Sequence, residues 1–148
     1  MSAAKLQEFI RSRSKSSSKQ VNFSGRKKAW IDSITTLYQE VDKWLTPLLK
    51  DKSVRFHKTT VEIAEDHIGT YQIDILHILI GKDKVSFIPK GALVIGGNGR
   101  IDILGPRASQ TLILNKEYMW EIVSRRTPKP SFIPFTEESF LDTLRQVM

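Results

Sequence analysis

The sequence predicts an α+β protein with an antiparallel, curved sheet of six to seven strands over about residues 54–123. A long N-terminal helix over about residues 25–49 precedes the sheet, and a C-terminal helix over about residues 136–147 follows it. Three observations support this fold class. One segment has apolar residues at helical spacing, a series of segments alternates with a period near two between turn signals, and a capped amphipathic segment ends the chain.

The long helix is the strongest secondary-structure signal. Its apolar residues recur at spacings of three and four, which places them on one face of a helix. These residues are Trp30, Ile34, Leu37, Tyr38, Val41, Trp44, Leu45 and Leu48. Pro47 should kink or end the helix about one turn before Asp51, because proline cannot donate a backbone hydrogen bond.

The first two strands are expected to form a hairpin from residues 54–63 and 70–80, with Gly69 free to take positive φ. Within the first strand the apolar positions change from even to odd numbers, which predicts a bulge near residues 58–60. The second strand becomes apolar on both sides over residues 75–80, apart from His77. A central strand has this pattern.

Turn signals divide the rest of the sheet at residues 81–84, 96–99 and 105–110. Asn98-Gly99 predicts a type I′ hairpin turn, and Pro89 should lie at a strand end or edge. Residues 118–123 are expected to form the last strand. The proline-rich residues 125–134 are expected to form an extended connector.

The closing helix should begin after Thr136, whose side chain can cap it, with two glutamates in the first turn. Because several strands are apolar on both sides, the sheet should either curl on itself or carry helices on one face and a partner on the other. Seven strands followed by one helix is also the element count of a pleckstrin-homology-like roll, a comparison of topology that no motif in the chain supports.

The net charge of +7 is confined to the start of the chain. Residues 1–28 contain eight basic residues and the single acidic Glu8, whereas residues 29–148 contain 15 basic and 15 acidic residues. We therefore divide the chain into residues 1–23, a short helix followed by a basic Ser/Arg/Lys-rich stretch, and a single globular domain over residues 24–148. The basic character belongs to the first part and not to the surface of the domain.

The candidate anion- or partner-binding residues are Arg11, Arg13, Lys15, Lys19, Arg26, Lys27 and Lys28. They could contact nucleic acid phosphates, but few aromatic residues lie among them to stack on bases. An anionic membrane surface is an unlikely partner, because the segment offers little apolar surface. An organelle-targeting peptide is left open. The favoured interpretation is a solvated linker between a small docked helix, built on Leu6, Phe9 and Ile10, and the domain.

No metal, cofactor or catalytic site is predicted. His57 and His77 would face each other if the first hairpin turns about His67. With Asp74 or Glu65 nearby they are the candidate metal ligands that the sequence offers, but the interpretation as strand histidines is favoured. The glycines of residues 96–99 precede a strand and not a helix, so they do not form a phosphate-binding loop. No motif unites a nucleophile with a base.

The chain has no cysteine and no run of about 20 apolar residues, which excludes disulfides and favours a soluble, cytoplasmic protein. The function predicted from the sequence is a non-enzymatic protein-interaction or scaffolding domain that binds a protein partner or its own copy. The alternative is a nucleic-acid-associated protein tethered through residues 11–28.

Overall fold

The computed structural model describes residues 25–47, 53–94, 97–124 and 129–148. Helix α1 covers residues 25–47 and leads into a seven-stranded antiparallel sheet, which is followed by helix α2. The strands and the second helix are β1 (Val54–Glu65), β2 (Gly69–Ile80), β3 (Asp83–Gly91), β4 (Gly99–Leu104), β5 (Ser109–Leu114), β6 (Trp120–Ser124), β7 (Ser131–Pro134) and α2 (Glu137–Val147). The predicted α+β fold with one curved antiparallel sheet is confirmed.

The strands follow one another across the sheet in sequence order, and both helices pack on the same face. Trp30, Phe87 and Phe140 are fully buried there. The ring of Phe87 lies 6.2 Å from that of Phe140 on α2 and 6.4 Å from that of Tyr38 on α1. Large aromatic side chains bury more apolar area than other residues, so this layer between sheet and helices dominates the stability of the fold.

The opposite sheet face is not covered by any helix among the described residues. By register, Ile88 and Val123 lie on this face and are half-buried, while Leu104 and Phe132 are 41% and 56% exposed. The sequence left two arrangements open, a sheet that curls on itself and a sheet with helices on one face. The structure has the helices on one face. Whether a partner covers the other face stays a prediction.

The first hairpin keeps one register from Val54↔Ile80 to Glu65↔Gly69, so the bulge predicted near residues 58–60 is wrong. The buried positions of β2 nevertheless change from even-numbered residues, Ile78 and Leu76, to odd-numbered ones, Ile73 and Tyr71. Strand β2 pairs with β3 only over residues 76–80, and beyond that point the hairpin is a two-stranded ribbon. Such ribbons twist more strongly than wide sheets, which accounts for the change of face without an inserted residue.

The tip of this ribbon is fixed to the connection between β3 and β4 by Glu65. Its Oε1 accepts hydrogen bonds from the backbone N–H groups of Ala92 (2.8 Å) and Leu93 (3.0 Å). Its Oε2 accepts from the hydroxyl of Tyr71, which in turn accepts from Trp30 Nε1 at 3.0 Å. Burial, followed by the Glu65 carboxylate, raises the pKa of Tyr71, so its phenol stays protonated and donates at neutral pH.

The predicted type I′ turn at Asn98-Gly99 is wrong, because neither residue has positive φ and Gly99 is the first residue of β4. A Cβ atom on Gly99 would lie 2.1 Å from the Trp30 ring, so the glycine is needed for close packing and not for a turn. Pro89 lies near the end of β3, where the register shifts between Pro89 and Gly91. A bulge is one of the places in a sheet where proline is tolerated.

The extended connector predicted over residues 125–134 is wrong in part, and its residues 125–128 lie outside the described residues. Residues 131–134 form the edge strand β7, with Ile133 opposite Ile122 of β6. A strand at the edge of a sheet forms backbone hydrogen bonds on one side only. Pro134, which has no backbone N–H, can therefore be accommodated there. Strand β6 begins at Trp120, and the predicted last strand over residues 118–123 is the next to last.

Both helices predicted for the globular domain are present, and the short helix predicted within residues 1–23 lies outside the described residues. Helix α1 reaches residue 47, and the end predicted for it beyond Pro47 lies outside the described residues. Thr136 caps α2 as predicted: its hydroxyl accepts from Ser139 N, and the Ser139 hydroxyl accepts from Thr136 N at 2.8 Å. Among the described helices, none is long and apolar enough to cross a membrane.

Candidate protein-binding groove

A groove with a volume of about 670 Å³ lies between α1, the turn that joins β5 to β6, and the segment that joins β7 to α2. We call it the acidic groove. It is lined by Thr36, Leu37, Glu40, Trp44, Asn115, Glu117, Tyr118, Met119, Trp120, Glu121, Pro134, Phe135 and Thr136. Binding sites for small molecules and side chains commonly have volumes of roughly 300–1,000 Å³ and apolar, aromatic walls.

The base of the acidic groove is aromatic and well supported. The ring of Trp44 lies 5.6 Å from that of Phe135 and 5.5 Å from that of the buried Phe140. The indole N–H of Trp120 donates to the carbonyl of Ser33 at 3.3 Å. These contacts connect α1, which carries Trp44, with α2 through Phe140 and with β6 through Trp120. The aromatic surface is therefore held in place before anything binds, which lowers the entropic cost of binding.

The turn between β5 and β6 is organised by Asn115. Its side-chain Oδ1 accepts from the N–H groups of Glu117 and Met119, each at 2.9 Å, and its Nδ2 donates to Glu121 Oε1 at 2.6 Å. Tyr118 follows with a φ of 60°, the left-handed conformation that glycine usually occupies in such turns. The turn is thus fixed by side-chain hydrogen bonds around a strained residue.

Tyr118 and Met119 are 42% and 62% exposed at the rim of the groove. Left-handed backbone at a non-glycine residue costs about 1–2 kcal/mol. A bulky aromatic residue there is unusual, and such strained residues cluster at ligand-binding sites. The turn itself requires the left-handed conformation at this position, because Tyr118 N–H donates to the Asn115 carbonyl and Asn115 N–H donates to the Met119 carbonyl. The chain has a large aromatic residue there in place of glycine, and it exposes both Tyr118 and Met119 at the rim.

The charge of the groove is negative. Glu40, Glu117 and Glu121 belong to its lining, whereas neither lysine nor arginine does. Lys116 is in the same turn but outside the lining. Residues 29–148 are neutral as a whole, so the three carboxylates give the groove a local charge that the composition of the domain does not show.

The basic candidates from the sequence lie elsewhere. Arg11, Arg13, Lys15 and Lys19 are outside the described residues. Arg26, at the start of α1, donates through Nη2 to the carbonyls of Ala92 (3.2 Å) and Gly97 (2.8 Å). The neighbouring Lys27 and Lys28 are half-buried and exposed, respectively. Arg26 thus also holds the β3–β4 connection against α1.

The predicted pairing of His57 with His77 is present on the outer sheet face. The two rings stack with their centroids 5.9 Å apart. His77 contacts hydroxyl groups at both nitrogens, Ser86 Oγ at 2.8 Å and Thr59 Oγ1 at 3.1 Å. Within the described residues no three histidine or acidic side chains form a group that could hold a metal ion. The pair therefore offers two ligands where zinc normally takes four.

The environment of His77 disfavours its charged form. Partial burial lowers the pKa of the imidazole below its ordinary value of 6.5, and the Lys84 ammonium and His57 lower it further. At neutral pH the ring is therefore neutral, with one nitrogen donating and the other accepting.

Sequence reasoning missed the acidic groove because its lining comes from three separate parts of the chain. The one local signal was in residues 115–119, where Asn115 precedes two large apolar residues. The pattern assigned Tyr118 and Met119 to a strand, whose inward residues would have been buried. In the structure they belong to the turn.

Comparison with models of protein families, with curated proteins and with solved structures finds no match to this chain.

Proposed function

We propose that this protein is a non-enzymatic protein-interaction domain whose acidic groove binds a segment of a protein partner. The segment would present one or two large apolar side chains flanked by lysine or arginine. The observation that carries the proposal is the strained turn at Tyr118, which exposes two apolar residues beside a preformed aromatic floor and three carboxylates.

Each part of the groove supports a role in recognition. Rigid aromatic side chains are enriched among the residues that contribute most to binding at interfaces. Met119 adds a polarisable side chain that can adapt to different apolar groups. The carboxylates of Glu40, Glu117 and Glu121 would attract and orient a basic segment, and they would disfavour an acidic one.

The groove also lies next to β7, whose outer edge pairs with no other strand among the described residues and where Phe132 and Ile133 are 56% and 43% exposed. A partner segment in the groove could continue along this edge and form backbone hydrogen bonds with it. An exposed edge with apolar residues would otherwise favour aggregation. Covering this edge would thus remove a liability of the isolated chain.

The proposal can be tested by selecting random 12-residue peptides from a display library against the full chain. The selected peptides should share an aromatic or large aliphatic residue close to lysine or arginine. Their affinity should fall at least about tenfold in Met119→Ser, which corresponds to about 1.4 kcal/mol. Leu104→Ser is the matched control, because Leu104 is 41% exposed on the opposite sheet face.

Two results would contradict the proposal. One is a set of selected peptides without the basic and apolar pattern. The other is equal binding by Met119→Ser and the unchanged chain, since a ligand in the groove must contact its most exposed apolar side chain. A peptide whose binding is lost only in Leu104→Ser would move the interaction to the outer sheet face.

The alternative function, nucleic acid binding through residues 11–28, rests on the charge of +7 over the first 28 residues. It predicts that affinity for DNA or RNA falls steeply with salt, because each phosphate contact releases counterions. Deletion of residues 1–23 should then abolish that binding. Affinity for the selected peptides should instead depend on the groove residues.

A further inference from the structure

We propose that the acidic groove is occupied by the chain's own leading segment, residues 1–23, which competes with the partner. This inference rests on the proposed function, because it concerns the same groove. The occupant is part of every molecule, and its presence in the groove gives the domain an autoinhibited state. Charge, apolar content and reach all point to this segment.

Charge is the first argument. Residues 1–23 contain Lys5, Arg11, Arg13, Lys15 and Lys19 against the single Glu8. The groove contributes three carboxylates and no basic side chain from its lining. Residues 29–148 contain equal numbers of acidic and basic residues, so the groove carries a local negative charge on a domain that is neutral as a whole. Opposite local charges of this kind favour association and fix its orientation.

Apolar content is the second argument. Leu6, Phe9 and Ile10 have the i, i+3, i+4 spacing of a helix that places them on one face. A helix this short is not stable unless it packs on another surface. The acidic groove offers Trp44 and Phe135 in its base and Met119 at its rim. Helices with such a pattern are commonly recognised in apolar grooves.

The length of the chain is the third argument. The groove is lined by α1 from Thr36 to Trp44, which lie about 16 Å and 28 Å along the helix axis from Gly25. Fourteen residues separate Ile10 from Gly25, and a chain of that length spans at most about 46 Å. The leading segment can therefore reach the whole groove. A tether this short gives a local concentration on the order of millimolar.

The absence of cysteine from the chain allows a direct test. A single cysteine introduced as Ser16→Cys carries a nitroxide spin label, and its relaxation effect is measured on the ¹⁵N-labelled full chain. We expect strong broadening of the amide signals of Tyr118 and Met119 and of the Trp44 indole. Signals of the outer sheet face, such as Leu104, should stay sharp.

Matched variants of the leading segment identify the contact. Leu6→Ser combined with Phe9→Ser should remove most of the broadening, whereas Gln7→Ser, on another face of the same turn, should leave it unchanged. The double variant should also bind the library-selected peptides at least about fivefold more tightly, because the competitor is weakened. Broadening that is absent from the groove, or that survives the double variant, would overturn the proposal.

A mixed sample separates self-occupancy from a second copy. Spin-labelled chain that contains no ¹⁵N is mixed with ¹⁵N-labelled chain that carries no spin label. Broadening of Tyr118 in this mixture as strong as in the chain that carries both labels would show that the segment acts between molecules and would refute occupancy within one chain. If the groove is broadened within one chain but the library yields no pattern even against the Leu6→Ser, Phe9→Ser chain, the proposed function fails. Of this inference, occupancy of the groove by residues 1–23 then stands and competition with a partner does not. The reverse result refutes this inference and leaves the proposed function intact.

Discussion

Tyr118 holds a left-handed backbone conformation with a φ of 60° while its ring is 42% exposed. Replacing it by glycine or by alanine deletes the ring in both cases. Only alanine keeps a Cβ atom, which is the source of the strain. The two variants therefore separate the cost of the backbone conformation from the contribution of the ring.

The expected difference in stability follows from two opposing effects. Removing the Cβ relieves about 1–2 kcal/mol of left-handed strain. Glycine loses about 0.5–1 kcal/mol more conformational entropy than alanine on folding. Tyr118→Gly should therefore be more stable than Tyr118→Ala by roughly 0.5–1 kcal/mol, and its melting temperature should be about 1–4 °C higher for a chain of this size. Urea unfolding at neutral pH measures the same difference.

Binding of the library-selected peptides should respond differently. Both variants lack the ring, so both should lose affinity by a similar factor of at least about fivefold, or roughly 1 kcal/mol. A more stable variant that binds more weakly would show that the conformation at Tyr118 serves recognition at the expense of stability. Equal stability of the two variants would refute the strain argument. Unchanged affinity would refute a role for the ring.

Two further predictions concern the core and the outer face. Gly99→Ala should lower the free energy of unfolding by about 1–3 kcal/mol, because its Cβ would overlap the Trp30 ring. Gly25→Ala should not be destabilised, because no atom of the described residues lies within 4 Å of the added Cβ. Equal stability of the two variants in urea would contradict this packing. The pKa of His77 is lowered in the folded chain, so the unfolded chain binds a proton first as pH falls below about 6.5. The free energy of unfolding should therefore decrease as pH falls below that value. NMR titration of the ring should give a midpoint below 6.5 that rises in Lys84→Ser, and a midpoint at or above 6.5 in the unchanged chain would be inconsistent with this environment.

Local patterns were sufficient for much of the fold. The apolar stripe from Trp30 to Leu45 identified α1, and Thr136 identified the start of α2. The turn about His67 gave the register that places His57 opposite His77. In each case the information lies within a few residues, because helix period, cap and hairpin turn are set by neighbours in the chain.

The errors arose where distant residues decide the local structure. The change of apolar phase in β1 looked like a bulge, but it reflects a ribbon that leaves the sheet after Leu76 and twists. Gly99 looked like a turn residue, but it makes room for Trp30. Strand β7 forms despite Pro134 because β6 is available on one side. Sequence reasoning cannot distinguish these cases, since the same residues satisfy either explanation locally.

For function, the sequence by itself determined where the net charge lies, in residues 1–28, and that the rest of the chain is balanced. Only the tertiary structure brought Glu40, Glu117 and Glu121 to one groove with an aromatic floor. Composition is a sum over the chain and is fixed by the sequence. The position of each charge depends on which elements pack together, and that is decided by burial of the apolar layer between the helices and the sheet.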